Sequence, residues 1–414
     1  PHTYSGNGHT VTIADPENIT RDECLALARC GADAWNKWRD EFPLIQLGVD
    51  EFRNIADFSG VDFRSNVIDF FDLRLGDHAK FHGEIFDHQS NFVEHVFGSF
   101  VDFSKAHFKY RGSFGRAAFG HSVNFSGAIF GDGGADFEGA SFGTWANFCS
   151  AVFLGRANFQ GTRFGKFAFF LGTVFDDAAD FSAAQFGSHA GFMGRSWDVL
   201  NRQFKKFAPV AYQSSDLKEL RPDAFNYCCF DGCEFEGVVN FSNREFLEAA
   251  SFSSLKSDLQ IRRRATFDSG GPSRVETSAH IEEQVFPAGK AVWFGAPPIF
   301  HGCKLHQDYA MAEAIFPTPT GQEQSIHAYR TLKLAFSQQQ ATREEQRFFR
   351  LEMAEEAKAA ENSRDPAQWL YIAYRELADF GFSVRRPALL LVVMLMLMLP
   401  LYARQAGLQA CWTS

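Results

Sequence analysis

Apolar and polar positions along the middle of this 414-residue chain follow a beat set by phenylalanine. Phe81 and Phe86, Phe92 and Phe97, Phe103 and Phe108, Phe114 and Phe119, and Phe125 and Phe130 are spaced alternately by five and six residues, an eleven-residue period. One extra residue enters in Gly131-Asp132-Gly133-Gly134, and the beat resumes at Phe137 and Phe142, then runs through Phe148, Phe153, Phe159, Phe164, Phe170, Phe175, Phe181 and Phe186 to Phe192. A fixed short period predicts a solenoid. Helix is excluded, because five residues turn an α-helix by roughly 140°, off any single face. Gly, Asp, Asn and Ser between the Phe residues also favour turns.

Two residues before most of these Phe stands a small one, such as Ala106, Ala117, Ala128, Ala146, Ala157, Ala168 and Ala179. One large and one small inward position per unit predicts a narrow tube filled by its own side chains. Between them lies a residue expected to face water, as in Ala146-Asn147-Phe148 and Ala135-Asp136-Phe137, and turn residues follow.

These units resemble the bacterial pentapeptide-repeat family in its Phe-rich variety, which reads Ala-(Asp/Asn)-Phe plus two turn residues. The resemblance implies a mainly β fold, a right-handed quadrilateral β-helix in which four units close a coil. Five, six, five and six give 22 residues per coil. Phe81, Phe103 and Phe125 then share a column that Phe148, Phe170 and Phe192 continue; Phe92 and Phe114 share another, continued by Phe137, Phe159 and Phe181; Phe86 and Phe97 lead two more. Residues 81 to 192 would make about five coils, a rod of roughly 24 Å. The Phe residues are read as core, with no ligand implied.

The flanks divide the chain further. Residues 1–45 are read as a polar leader and a capping helix: Thr20-Arg21-Asp22-Glu23 is a capping box, and Trp35 and Trp38 are expected on the first coil, covering its open end. Residues 46–195 hold the repeats, irregular at first in Ala56-Asp57-Phe58 and Val61-Asp62-Phe63. Residues 196–224, with Trp197, Leu200, Phe204 and Phe207 at helical spacing, are read as a helical insertion. Irregular repeats return over 225–316, with 268 to 290 expected as a mobile excursion. Residues 320–380 change to helical language, with Ile326, Tyr329, Leu332, Leu334 and Phe336 on one face of 321 to 339, a second capping box at Thr342-Arg343-Glu344-Glu345, and a third helix through Trp369 and Tyr374.

Residues 387–403, PALLLVVMLMLMLPLYA, carry no charge. Seventeen residues reach roughly 25 Å, at the short limit for a membrane helix. A single-pass transmembrane helix in contact with lipid is expected, with a buried or oligomeric core helix as the alternative. Arg375, Arg385 and Arg386 before the run place the repeat domain in the cytoplasm by the positive-inside bias. The resemblance agrees, since Phe-rich members commonly continue into helices and membrane segments. The chain begins at Pro1 and ends about ten residues after the apolar run, so a continuation beyond Ser414 stays open.

Composition narrows the function. A net charge of -10 and the absence of any basic run argue against a general nucleic-acid binder. Eight Cys without framework spacing are read as reduced thiols. His301-Gly302-Cys303-Lys304-Leu305-His306 and the trio Cys228, Cys229 and Cys233 hold metal-ligand types, but Cys228, Cys233 and Cys303 fall in the small slot two before Phe230, Phe235 and Leu305, so no metal and no cofactor is expected. His82, His88, His95, His107 and His121 are read as solvated. No GxSxG, P-loop, Rossmann or HExxH pattern occurs, and no TVGYG filter, so no catalytic residue is assigned.

The leading expectation is a non-enzymatic, membrane-tethered scaffold presenting a rigid β-helix to a protein partner. A second is the cytoplasmic or regulatory part of a channel or transporter continuing beyond residue 414. The third, implied by the resemblance, is a DNA mimic that binds type II topoisomerases; ten acidic against seven basic side chains over 81 to 193, a net of -3, disfavour it.

Overall fold

The structure is a computed structural model that describes residues 1–405 apart from 48–51, 60, 62, 64–67, 69, 71, 88–89, 195–220, 222, 249, 265–280, 304, 306–310, 312, 363–368 and 382. It forms two units, Pro1–Pro317 and Thr318–Ser414.

The first unit is a β-solenoid of about six turns. Three parallel sheets of seven two-residue strands run along it. In one of them Phe86, Phe108, Phe130, Phe153 and Phe175 are successive partners, 22 or 23 residues apart. A fourth ladder of single bridges links Asp57, Lys80, Asp102, Asn124, Asn147, Phe169 and Gly191. Each strand is short because the chain turns after almost every Phe.

The expected Phe columns stand inside these ladders. Phe81, Phe103, Phe125, Phe148, Phe170 and Phe192 follow one another at 4.7 to 5.0 Å with ring planes within 4°. Phe114, Phe137, Phe159 and Phe181 stack at 4.8 to 4.9 Å in a second column. Columns led by Phe86 and Phe97 do the same, beginning with steps of 4.7 Å to Phe108 and 4.6 Å to Phe119. Neighbouring columns meet edge to face, as Phe125 and Phe137 do at 5.6 Å and 86°. The extra residue at 131–134 is absorbed in a corner where Gly134 takes a φ of 73°. The Phe125–Phe148, Phe130–Phe153, Phe114–Phe137 and Phe119–Phe142 steps are accordingly 23 residues long.

Several small slots hold a polar side chain that satisfies a carbonyl one coil away. Thr162 and Thr173 hydroxyls donate to Phe137 O and Phe148 O at 2.8 Å. The thiols of Cys233 and Cys303 donate to Phe181 O and Phe241 O at 2.8 and 2.9 Å. Arg244 is the extreme case: it sits two residues before Phe246 and is buried. Its guanidinium donates to Phe192 O at 2.6 Å, Thr173 O at 2.8 Å, Phe170 O at 3.1 Å and Ala224 O at 3.3 Å, and lies 4.7 Å from the Phe225 ring centre. The ladder step beside it, from Phe175 to Phe225, brackets a long excursion, so Arg244 closes the interior where the coil is interrupted. The expected insertion at 196–224 lies almost wholly outside the described residues.

The N-terminal region departs from its reading. Residues expected as a polar leader form a hairpin, His2–Gly6 with His9–Ile13. The single capping helix expected after Thr20 is two helices, α1 (Arg21–Arg29) and α2 (Ala32–Glu41), parted at Gly31 with φ 87°. Thr20 and Glu23 do form the capping box. Trp35 and Trp38 are both buried, and Trp35 stacks on Phe58 at 5.7 Å, directly above the Phe81 column. Buried Arg39 donates to the carbonyls of Asn54, Arg74 and Leu75 at 2.6 to 3.3 Å, the device that Arg244 repeats further along.

The stretch 268 to 290, expected as a mobile excursion, contains a strand, Ile281–Phe286, paired antiparallel with Leu259–Arg264. Charged residues on its outer face, including the Arg262–Glu283 pair at 2.9 Å, hid the strand pattern. Ile261 and Phe286 face inward and cluster with Leu255 and Ala183.

The second unit is helical: α3 (Glu323–Gln338), α4 (Thr342–Asn362), α5 (Trp369–Ala378) and α6 (Arg385–Gln405). Ile326, Tyr329, Leu332 and Phe336 of α3 are buried, but Leu334, two residues from Leu332 and so on the far side of the helix, is exposed. Facing α3, α4 buries Phe348 together with Glu352 and Glu355. Glu352 pairs with Arg330 and Lys333 at 2.7 and 2.6 Å, and Glu355 accepts the amides of Thr320 and Gly321 at 2.9 and 2.6 Å.

The single transmembrane helix expected at 387–403 is not supported. Among the described residues no single helix is long and apolar enough to cross a membrane. α6 carries Arg385 and Arg386 in its first turn and Pro400 inside it. By length and composition the segments Leu370–Gly381 and Arg385–Pro400 meet the requirement together, but they are bent by 112°, with Phe380 and Gly381 at φ 55° and 91° at the end of the first.

Arg244→Met keeps the length of the side chain and removes its donors. It is expected to lower the unfolding free energy by about 3 kcal/mol or more, measured by urea denaturation; a loss below about 1 kcal/mol would contradict the closing role.

Candidate functional site: the outer surface of the solenoid

With the Phe columns inside, the outer surface of the solenoid is made by the residues between them. The Asp and Asn residues one before each Phe, expected simply to face water, are used by the fold. Asn124 Oδ1 accepts the Ser126 amide at 3.0 Å and the Asn147 Nδ2 at 3.2 Å, while its own Nδ2 donates to Asp102 Oδ1 at 3.2 Å. Asp102 and Asn147 accept the amides of Ser104 and Cys149 at 2.9 and 3.0 Å. On another face Asp136 accepts from the Glu138 amide and from Asn158 Nδ2, both at 3.1 Å. Each such side chain closes its own turn, and those with a matching neighbour also tie adjacent coils.

The Phe86 ladder differs again. Its intermediate positions include His107, Ile129, Val152 and Val174, all buried. His107 is therefore not a solvated residue, and neither is His95, which fills the small slot before Phe97 with its ring 4.3 Å from that Phe. Burial, with Lys109 adding to it, pushes the His107 imidazole down to about 4, against an opposing pull from Asp87. His82 keeps polar company, with Nδ1 at 2.7 Å from Ser104 Oγ. His121 is exposed and accepts the Thr144 amide on Nδ1 at 3.0 Å. His88 lies outside the described residues.

Two surface features remain. The first is the docked hairpin Leu259–Arg264 and Ile281–Phe286. Ile261 sits over Gly161, a left-handed corner residue with φ 58°, so close that a Cβ there would overlap its side chain. Between hairpin and solenoid lies a cleft of about 310 Å³ lined by Arg116, Glu138, Gln260, Arg262 and Glu283 among others. Burial and the neighbouring Asp136 raise the Glu138 carboxyl above its ordinary value.

The second is a corner that carries aromatic side chains outside the tube. Phe100, Trp145 and Phe167 are off the Phe beat, and sequence reasoning missed them. Their signal was present: each ends a Gly-polar-aromatic triplet directly after a Phe of the Phe97 column, in Gly98-Ser99-Phe100, Gly143-Thr144-Trp145 and Gly165-Lys166-Phe167.

The cysteine slots behave as packing sites. Burial pushes the Cys228 and Cys233 thiols well above their ordinary range and raises Cys303 to about 11. Among the described residues no cluster of three or more His, Cys, Asp or Glu is placed to hold a metal ion. His306, part of the His301 to His306 segment, is outside the described residues. Comparison with protein-family models, curated proteins and solved structures finds no match.

Because folded His107 resists protonation until about pH 4 while an unfolded His binds a proton near 6.5, the unfolded state holds more protons between those values. Stability is expected to be complete above about pH 6.5 and to fall as pH drops toward about 4. His107→Ile, matching Ile85 and Ile129 in the same ladder, should flatten that part of the Tm-against-pH curve; an unchanged slope would assign it elsewhere. Gly161→Val, strained by the positive φ and blocked by Ile261, should undock the hairpin and speed proteolytic cutting within 259–286 by about tenfold, with a smaller effect on Tm.

Proposed function

We propose that the chain is a pentapeptide-repeat protein, a right-handed, four-sided β-helix, and that it acts without catalysis as a membrane-tethered scaffold for a protein partner. The five-and-six beat, the four ladders and the four ring columns support the family reading. A contrast between the units carries the function: the Phe columns are buried, whereas Leu389, Leu391, Leu395, Met396, Leu397 and Leu399 of α6 are all more than half exposed. An apolar helix of this kind is stable against lipid or another apolar surface and costly in water. Arg385 and Arg386 at its start hold the repeat domain on the cytoplasmic side, and the bent pair α5 and α6 supplies the anchor. The rigid solenoid then offers repeated outer positions at coil spacing to an extended partner.

Flotation with vesicles of phosphatidylcholine and phosphatidylglycerol tests the tether. The full chain is expected to float, and a Leu391→Asp, Leu395→Asp double variant to stay at the bottom with its solenoid folded. A full chain that does not float, or a variant that floats equally, overturns it. For the scaffold half, a photoreactive residue at position 145 is expected to give one discrete heterologous protein adduct in the cells that make the protein; self-adducts alone would overturn it.

A further inference from the structure

The corner between the Phe97 and Phe81 columns is built from six equivalent residues. His78, Phe100, Ser122, Trp145, Phe167 and His189 all take left-handed backbone, with φ of 59°, 59°, 58°, 67°, 63° and 67°. Each stands 22 or 23 residues after the last, one coil further along. Bulky side chains rarely adopt this conformation, and Gly, Asn or Asp would serve the turn with less strain. The rings form an outer column: His78 stacks on Phe100 at 4.8 Å and 7°, Trp145 on Phe167 at 4.2 Å and 14°, and Phe167 on His189 at 5.0 Å and 15°.

Ser122 interrupts this column. Phe100 has its ring contact with His78, on the side away from Ser122. Trp145 has its ring contacts with Phe167 and Phe169, also on the far side. Phe100 and Trp145 are 52% and 49% exposed. Two coil steps separate them, roughly 9 to 10 Å at strand spacing. That is twice the ring-to-ring step, so the gap is one ring thick.

We propose that this gap is a binding slot for one aromatic side chain, presented by an extended segment of a protein partner lying along the corner, which completes the ring column at Ser122. The spacing selects a flat ring, because Phe100 and Trp145 each offer it a face. A nucleobase fits the thickness, but the strand that carries it needs a row of cations; the polar residues of these corners are Asp77, Ser99, His121, Thr144, Lys166 and Ser188, one of them a Lys, on a chain of net charge -10. An arginine would want a carboxylate beside the slot, and the three nearest of those residues, Ser99, His121 and Thr144, supply none. The slot takes the protein nature of the partner from the scaffold reading and gives it one contact.

Saturation-transfer NMR on the full chain, with N-acetyl-tryptophanamide as probe, tests it. The wild type is expected to transfer saturation to the indole protons. Ser122→Phe, which fills the slot, and Trp145→Ser, which removes one wall, should each cut the transfer about five- to tenfold. Ser122→Phe should melt at or above the wild-type temperature, since its ring joins the column. Equal transfer in all three proteins, a lower melting temperature for Ser122→Phe, or transfer to adenosine monophosphate in preference to the indole each overturns the proposal. Absence of transfer in the wild type removes the slot and leaves the scaffold reading to the flotation and crosslinking results.

Discussion

The structure depends on a coincidence of two lengths. Parallel strands repeat at roughly 4.8 Å, and parallel aromatic rings pack offset at nearly the same separation. A Phe at the same place in every coil therefore satisfies the backbone ladder and the interior together, with steps of 4.7 to 5.0 Å in the column from Phe81 to Phe192. Everything else adapts to that pitch. The slot beside most rings is small, and several polar side chains that occupy it return a hydrogen bond to the wall, as Thr162, Thr173 and Cys233 do. Where the coil is interrupted or begins, a buried guanidinium supplies several donors at once, at Arg244 and Arg39.

The ladders were legible because a one-dimensional repeat writes its geometry directly into sequence spacing. Phe81, Phe103 and Phe125 could be assigned to one column by arithmetic, and the extra residue at 131–134 could be carried through. What was not legible lay where a position served two purposes. The Asp and Asn residues looked like solvent-facing spacers, yet Asn124 closes its own turn and braces two coils. His95 and His107 looked like surface residues because histidine is polar, but register sends one into a slot and the other under cover. The strand Ile281–Phe286 was concealed by Glu282, Glu283 and Gln284, whose charge and polarity signal a loop when the partner strand of arginines is not in view.

The outer surface was the least readable part. Phe100 and Phe167 share their residue type with the core, Trp145 its aromatic character, and all three are separated from it by phase. An off-beat aromatic in a strongly periodic sequence carries more information than an on-beat one, because the fold does not ask for it. At this corner the backbone conformation disfavours such residues, which strengthens the case for a role outside the tube.

The seat of Trp35 on Phe58 bears on assembly. A stack of parallel coils resembles a growing crystal: each terminal layer offers ring faces and unpaired backbone groups on which another layer can deposit. By lying across the column that begins at Phe58, the indole covers one of the ring faces on which a further coil could deposit, and so works against end-to-end polymerisation of like chains at that column.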